Sequence, residues 1–110
     1  MSLKHTAHDG NLLLSFDGGL TIFQAAERKP ELLHALSLVE HALSLDLSGI
    51  DEIDTAGLQL LLLLKRETQA RGQRLDVVAY SPAVLSMFDL LQLHEWFGAE
   101  SAGAALEDAA

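Results

Sequence analysis

The residues in this chain best placed to do chemistry fall in one stretch, Asp54-Thr55-Ala56-Gly57-Leu58. An aspartate just ahead of a helical segment can act as its N-cap, because its carboxylate accepts from the unpaired amides of the first turn. The hydroxyl of Thr55 then stands at the positive end of the helix dipole, where an added phosphate is tolerated. Such a phosphate would bring roughly −1.5 to −2 charge at neutral pH and block a contact surface by size and repulsion. Gly57 is expected to leave the helix start uncluttered, so that another backbone or a nucleotide-bearing partner could approach. Taken alone, Asp54-Thr55 is better explained as a plain helix cap.

Other constellations carry less. His5 and His8 neighbour Asp9 near the chain start, His34 and His41 stand seven apart, and His94 precedes Glu95 without a second histidine at zincin spacing. No metal or other cofactor is expected. A nucleophile elbow of the form Gly-x-Ser-x-Gly is missing, as is a phosphate-cradling Gly-x-x-x-x-Gly-Lys loop. Asp51 with Glu52, and Glu107 with Asp108, are adjacent in sequence, so their side chains point differently and read as solvated loop and tail. An enzyme is therefore not expected.

Composition narrows the partners. Seven Lys and Arg against sixteen Asp and Glu give a net charge of −9, and no Lys or Arg follows Arg74. That field repels phosphate backbones, so nucleic acid is an improbable ligand, while a protein with a basic docking face suits it. The longest apolar run, Leu60 to Leu64, is closed by Lys65 and Arg66 and falls far short of the roughly 20 residues that span a bilayer. Membrane insertion is not expected. Met1 to His5 has no apolar stretch of a secretory signal, and the absence of cysteine fits a reducing cytoplasm.

The elements that must position Thr55 follow from patterning. With 110 residues and 49% hydrophobic side chains, the chain can bury one core, and a single domain is expected, with a body at about 11–97 and mobile tails at 1–10 and 98–110. Asn11 to Phe16 reads as a strand ended by a turn at Asp17-Gly18-Gly19, with Leu20-Thr21-Ile22 pairing back. Helical spacing from Gln24 to about Leu38 (Ala25, Ala26, Leu32, Leu33, Leu36) predicts a helix that Pro30 must kink or begin. Leu43 to Leu47 alternates as a strand and runs into a loop at Ser48-Gly49. The strongest helix spans Thr55 to about Arg71, capped by Asp54, stopped by Gly72, and buried along its leucine-rich first half. Leu75 to Ala79 is a further strand, and Ser81-Pro82 opens a helix with Val84, Leu85, Phe88 and Leu91 as its apolar stripe. Trp96-Phe97 reads as an anchoring pair. Alternation of strand and helix implies an α/β layered sheet.

Two segments carry a family resemblance: Leu45-Asp46-Leu47-Ser48-Gly49 running to Asp54-Thr55-Ala56-Gly57-Leu58, and Ala79-Tyr80-Ser81-Pro82-Ala83-Val84. The first resembles the strand end and helix start of STAS domains, with their Asp-Leu-Ser and Asp-Ser/Thr-x-Gly-Leu pattern, and the second the next strand-to-helix turn of that bacterial family. The resemblance implies a STAS-like α/β fold, a mixed sheet of four to five strands with helices packed mainly on one face. It also implies a regulatory interaction module like the anti-sigma factor antagonists, in which the hydroxyl after the aspartate is phosphorylated by a partner Ser/Thr kinase. Carried over, that residue is Thr55, and the docking face comprises Ser48, Gly49, Asp54, Thr55, Ala56, Gly57 and Leu58. The implied partner is a kinase-like anti-sigma factor or an equivalent regulator, and a homodimer is compatible with it. Asp-Thr-x-Gly-Leu also resembles the small STAS subunits of lipid-transport ABC systems, which implies the alternative of a constitutive subunit bound to the transporter's ATPase.

Overall fold

The first turn of the chain falls at Asp9 and Gly10, whose φ angles of 51° and 81° are both positive, as a two-residue type I′ hairpin requires. The turn joins β1 (Ser2–His8) antiparallel to β2 (Asn11–Leu20), with His8 opposite Asn11 and Ser2 opposite Asp17. This computed structural model describes residues 2–92. The segment 1–10, expected as a mobile tail, therefore supplies an edge strand that pairs along its whole length. The segment 98–110, Trp96-Phe97 and His94 lie outside the described residues.

Asp17-Gly18-Gly19 makes no hairpin. β2 runs through it to Leu20, with register shifts between Ser15 and Asp17 and between Gly18 and Gly19, and with Gly18 at φ 99°, so these glycines accommodate bulges within a strand. Thr21, expected in a second strand, is instead the N-cap of α1 (Ile22–Leu36), and Gln24 reaches back to accept from its amide at 3.1 Å. That is the Thr-x-x-Gln pattern of a capping box. Pro30 sits inside α1 on its exposed side, where water can satisfy the carbonyl its missing N–H leaves over.

β3 (Ala42–Ile53) also outruns expectation, continuing through Ser48 and Gly49. A Cβ at Gly49 would stand 2.4 Å from the Phe16 carbonyl oxygen, so a glycine is what lets the strands approach there. α2 (Thr55–Ala70), β4 (Arg74–Tyr80) and α3 (Pro82–Leu91) complete the described fold. Gly72, at φ 67°, follows α2 as anticipated. Ser81 caps α3 by accepting from the Val84 amide at 3.1 Å.

The sheet order is β1-β2-β3-β4, antiparallel at its first pair and parallel at the other two. The crossovers β2–α1–β3 and β3–α2–β4 step the same way across the sheet, and their common right-handedness puts both helices on one face. Alternation in the strands agrees: Leu12, Leu14 and Phe16 of β2, Leu43, Leu45 and Leu47 of β3, and Leu75 and Val77 of β4 are buried, whereas Leu13 and Val78 on the opposite face are exposed. Leu58, Leu60, Leu61 and Leu64 of α2 close the core from above, with Leu62 and Leu63 packed at its edge. In α3 Val84 and Phe88 are buried, but Leu91, expected in the stripe, is exposed.

Candidate functional site

Asp54 is the junction of the site. Its Oδ1 accepts from the Gly57 amide at 3.0 Å, capping α2, and its Oδ2 accepts from the Ile22 amide at 3.0 Å, capping α1. One carboxylate thus satisfies an orphan donor at each of two helix starts and sets them side by side. The topology makes this happen: the Asp54 amide still reaches back to the Leu20 carbonyl at the end of β2, so the residues that open both helices leave the sheet as neighbours.

Thr55 is the first residue of α2 and is exposed. Its hydroxyl makes no hydrogen bond among the described residues. The amides of Thr55 and Ala56 precede the first intrahelical bond, Leu58 N–H to Asp54 C=O at 3.0 Å, so they remain available to an anion placed on Thr55. Both Asp54 oxygens hold backbone amides, and neither is hydrogen-bonded to the Thr55 hydroxyl.

The remaining candidates divide. Ala56 is half-buried and lines a shallow groove of about 260 Å³ between α1 and α2, together with Ile22, Ala26, Lys29, Gln59 and Leu63. Gly57 does not open the helix start to a partner, contrary to expectation: a Cβ there would lie 2.0 Å from the Leu20 carbonyl oxygen, so its own chain fills the space. Leu58, 3% exposed, belongs to the core rather than the surface. Ser48 and Gly49 are strand rather than loop residues, and β3 from Ser48 to Ile53 can span up to roughly 20 Å before α2 begins. Ser48 donates its amide (3.0 Å) and hydroxyl (2.6 Å) to Asp46 Oδ1 instead. Those donations hold the Asp46 carboxyl below its ordinary value, the hydroxyl being the larger cause.

Ile22, expected in a second strand, opens α1 together with Phe23, and sequence reasoning gave neither a part in the docking face. Both are exposed, Phe23 at 80%, and their signal was an apolar pair directly after a capping threonine. Among the described residues, His8 meets Asp9 at 3.1 Å on the surface, and no group of three metal-ligating side chains occurs. No described helix is long and apolar enough to cross a membrane.

Comparison with known proteins accords with this geometry. The solved structure of the anti-sigma factor antagonist SpoIIAA in its unphosphorylated form superposes with a TM-score of 0.72 at 18% identity, over 86% of this chain and 84% of that one. An anti-sigma factor antagonist from Mycobacterium paratuberculosis gives 0.75 at 24% identity, over 87% and 81%. The Bacillus cell fate determinant SpoIIAA in its phosphorylated form gives 0.68 at 17%, over 86% and 87%. At these identities the likeness is one of fold. No curated protein matches the chain in sequence. Residues 3–99, however, match the model of the family described as "Mlab, STAS domain", and the chain belongs to that STAS family.

Proposed function

We propose that this STAS domain is a regulatory protein-docking module without catalytic turnover, whose bound state is set by phosphorylation of Thr55 by a partner Ser/Thr kinase. The observation that carries the reading is the placement of Thr55, an exposed hydroxyl with no hydrogen bond among the described residues, on the first turn of α2 beside an aspartate that holds two backbone amides. A phosphate on this hydroxyl can lie against the free first-turn amides, so the domain keeps its fold while its surface changes charge. The partner contributes the nucleotide and the base, and it leaves the modified face because the bulk of the phosphate and the cost of desolvating its charge break the contact. A kinase-like anti-sigma factor in the cytoplasm fits this role, and SpoIIAA, of like fold, is known in both unphosphorylated and phosphorylated forms.

Intact-mass and peptide mass spectrometry of the protein from its native cells, combined with affinity capture by wild type and Thr55→Ala, tests the reading. A phosphate confined to Thr55 and partner capture that persists in Thr55→Ala are expected. A partner that binds phosphorylated and unphosphorylated protein alike would sink it.

A second reading has one observation in its favour, the family description itself, which names Mlab. In that reading the same helix start is a constitutive contact of a STAS subunit with the ATPase of a lipid-transport ABC system. Its expected mark is a stable complex with an ATPase in which Thr55 is never modified.

A further inference from the structure

The start of α1 is built against economy. Ile22 and Phe23 are 58% and 80% exposed, although burying side chains of this size ordinarily stabilises a fold. They are not on a loose end: Asp54 holds the Ile22 amide, Gln24 holds the Thr21 amide, and the Ala25 amide donates to the Thr21 carbonyl at 2.8 Å. A rigid, exposed apolar pair continuous with an apolar groove marks an interaction surface. Ile22 itself lines that groove, which runs on to Ala56, next to Thr55.

The rim of this surface is acidic. Glu52 stands opposite Gly19 in the β2–β3 register, and Asp51 Oδ1 lies 3.9 Å from where a Gly19 Cβ would be, so both flank the segment that leads into Ile22. Asp17, Asp51 and Glu52 are exposed and form no ion pair among the described residues. Lys29 is the cation of the groove, two turns further along α1. A second copy docking face to face would set Asp51 and Glu52 against themselves. Anionic lipid is disfavoured by the same charge.

We propose that Ile22 and Phe23, held beside Thr55 by the shared Asp54 cap, form the apolar anchor of the docking face and take a protein partner that presents an apolar side chain flanked by Lys or Arg. The inference rests on the docking-module reading and adds the anchor and the partner's chemistry. In this arrangement a phosphate on Thr55 acts beside the anchor, and also places charge next to the carboxylate that fixes the α1 start.

Site-specific photo-crosslinking in the native cells tests it, with p-benzoylphenylalanine placed at Phe23, at Thr55, or at Val78 on the open sheet face. Phe23 and Thr55 are expected to give an adduct with the same protein, through a peptide that carries an apolar residue next to Lys or Arg, and Val78 is not. Adding Thr55→Glu should lower the Phe23 adduct at least tenfold. An adduct from Thr55 alone overturns the anchor and leaves the docking-module reading standing; no adduct from either overturns both. An adduct from Phe23 to a second copy of this chain, to lipid, or through a peptide without Lys or Arg also overturns the inference.

Discussion

Gly57 and Leu20 are in backbone contact across the junction of α2 and β2, close enough that a Cβ on Gly57 would stand 2.0 Å from the Leu20 carbonyl oxygen and 3.0 Å from its carbonyl carbon. The contact lets α2 begin flush with the end of the sheet, which brings Asp54 within reach of both helix starts.

Gly57→Ala should therefore destabilise the domain, although alanine is the better helix former by about 1 kcal/mol. Overpacking against backbone, which cannot rotate away, costs about 1–3 kcal/mol, and the approach here belongs at the upper end. A net loss of about 2 kcal/mol is expected in urea unfolding. A variant as stable as wild type would mean that α2 shifts freely, and with it the placement of Thr55.

Asp54→Ala removes two caps at once. At about 1 kcal/mol for each lost cap, the expected loss is about 2 kcal/mol, whereas Asp54→Asn keeps one acceptor oxygen and should lose roughly half of that. Hydrogen exchange should quicken at Ile22 and Gly57 together in the alanine variant. Quickening at Gly57 alone would show that the bond to α1 contributes nothing.

How far the sequence could be read follows from the range of each signal. The Asp54 and Ser81 caps, the Gly72 stop and the leucine stripe of α2 are local, and each was legible because one or two residues carry it. The hairpin was misplaced because two Asp-Gly pairs compete, at Asp9-Gly10 and Asp17-Gly18, and only the partner strand decides between them. Leu3, His5 and Ala7 pair with β2 without an alternation strong enough to announce a strand. The roles of Gly49 and Gly57 depend on Phe16 and Leu20, more than thirty residues away in the chain, so local pattern marked them as loop and open helix start. The Asp54 to Ile22 bond was hidden for the same reason.

Ser48 is expected to tune Asp46 rather than to meet a partner at the helix start. Its hydroxyl, then its amide, stabilises the Asp46 carboxylate and lowers the folded-state pKa from the ordinary value of 3.8. A group depressed on folding contributes stability above its unfolded pKa, and that contribution fades as pH falls through the folded value. Ser48→Ala should raise the Asp46 pKa in a carboxyl-carbon NMR titration and leave stability at neutral pH nearly unchanged, since the pair is solvent-screened. An unmoved Asp46 titration would show that the Ser48 bonds are not kept in solution.

Thr55→Glu separates fold from docking most directly. The substitution places a carboxylate at the first turn of α2, which the helix dipole favours by about 0.3–1 kcal/mol. Asp54 lies next to it, with both oxygens engaged, and repels it by a comparable amount, so stability should stay within about 0.5 kcal/mol of wild type. Partner affinity is a different matter, because a charge set into a desolvated contact costs on the order of 1–3 kcal/mol. Calorimetric titration of the partner against wild type, Thr55→Glu and Thr55→Ala, with urea unfolding of each, reads both quantities. Lost binding with intact stability in Thr55→Glu alone is the expected pattern. Equal affinity in all three would reduce the start of α2 to a cap and turn the assignment toward a constitutive subunit.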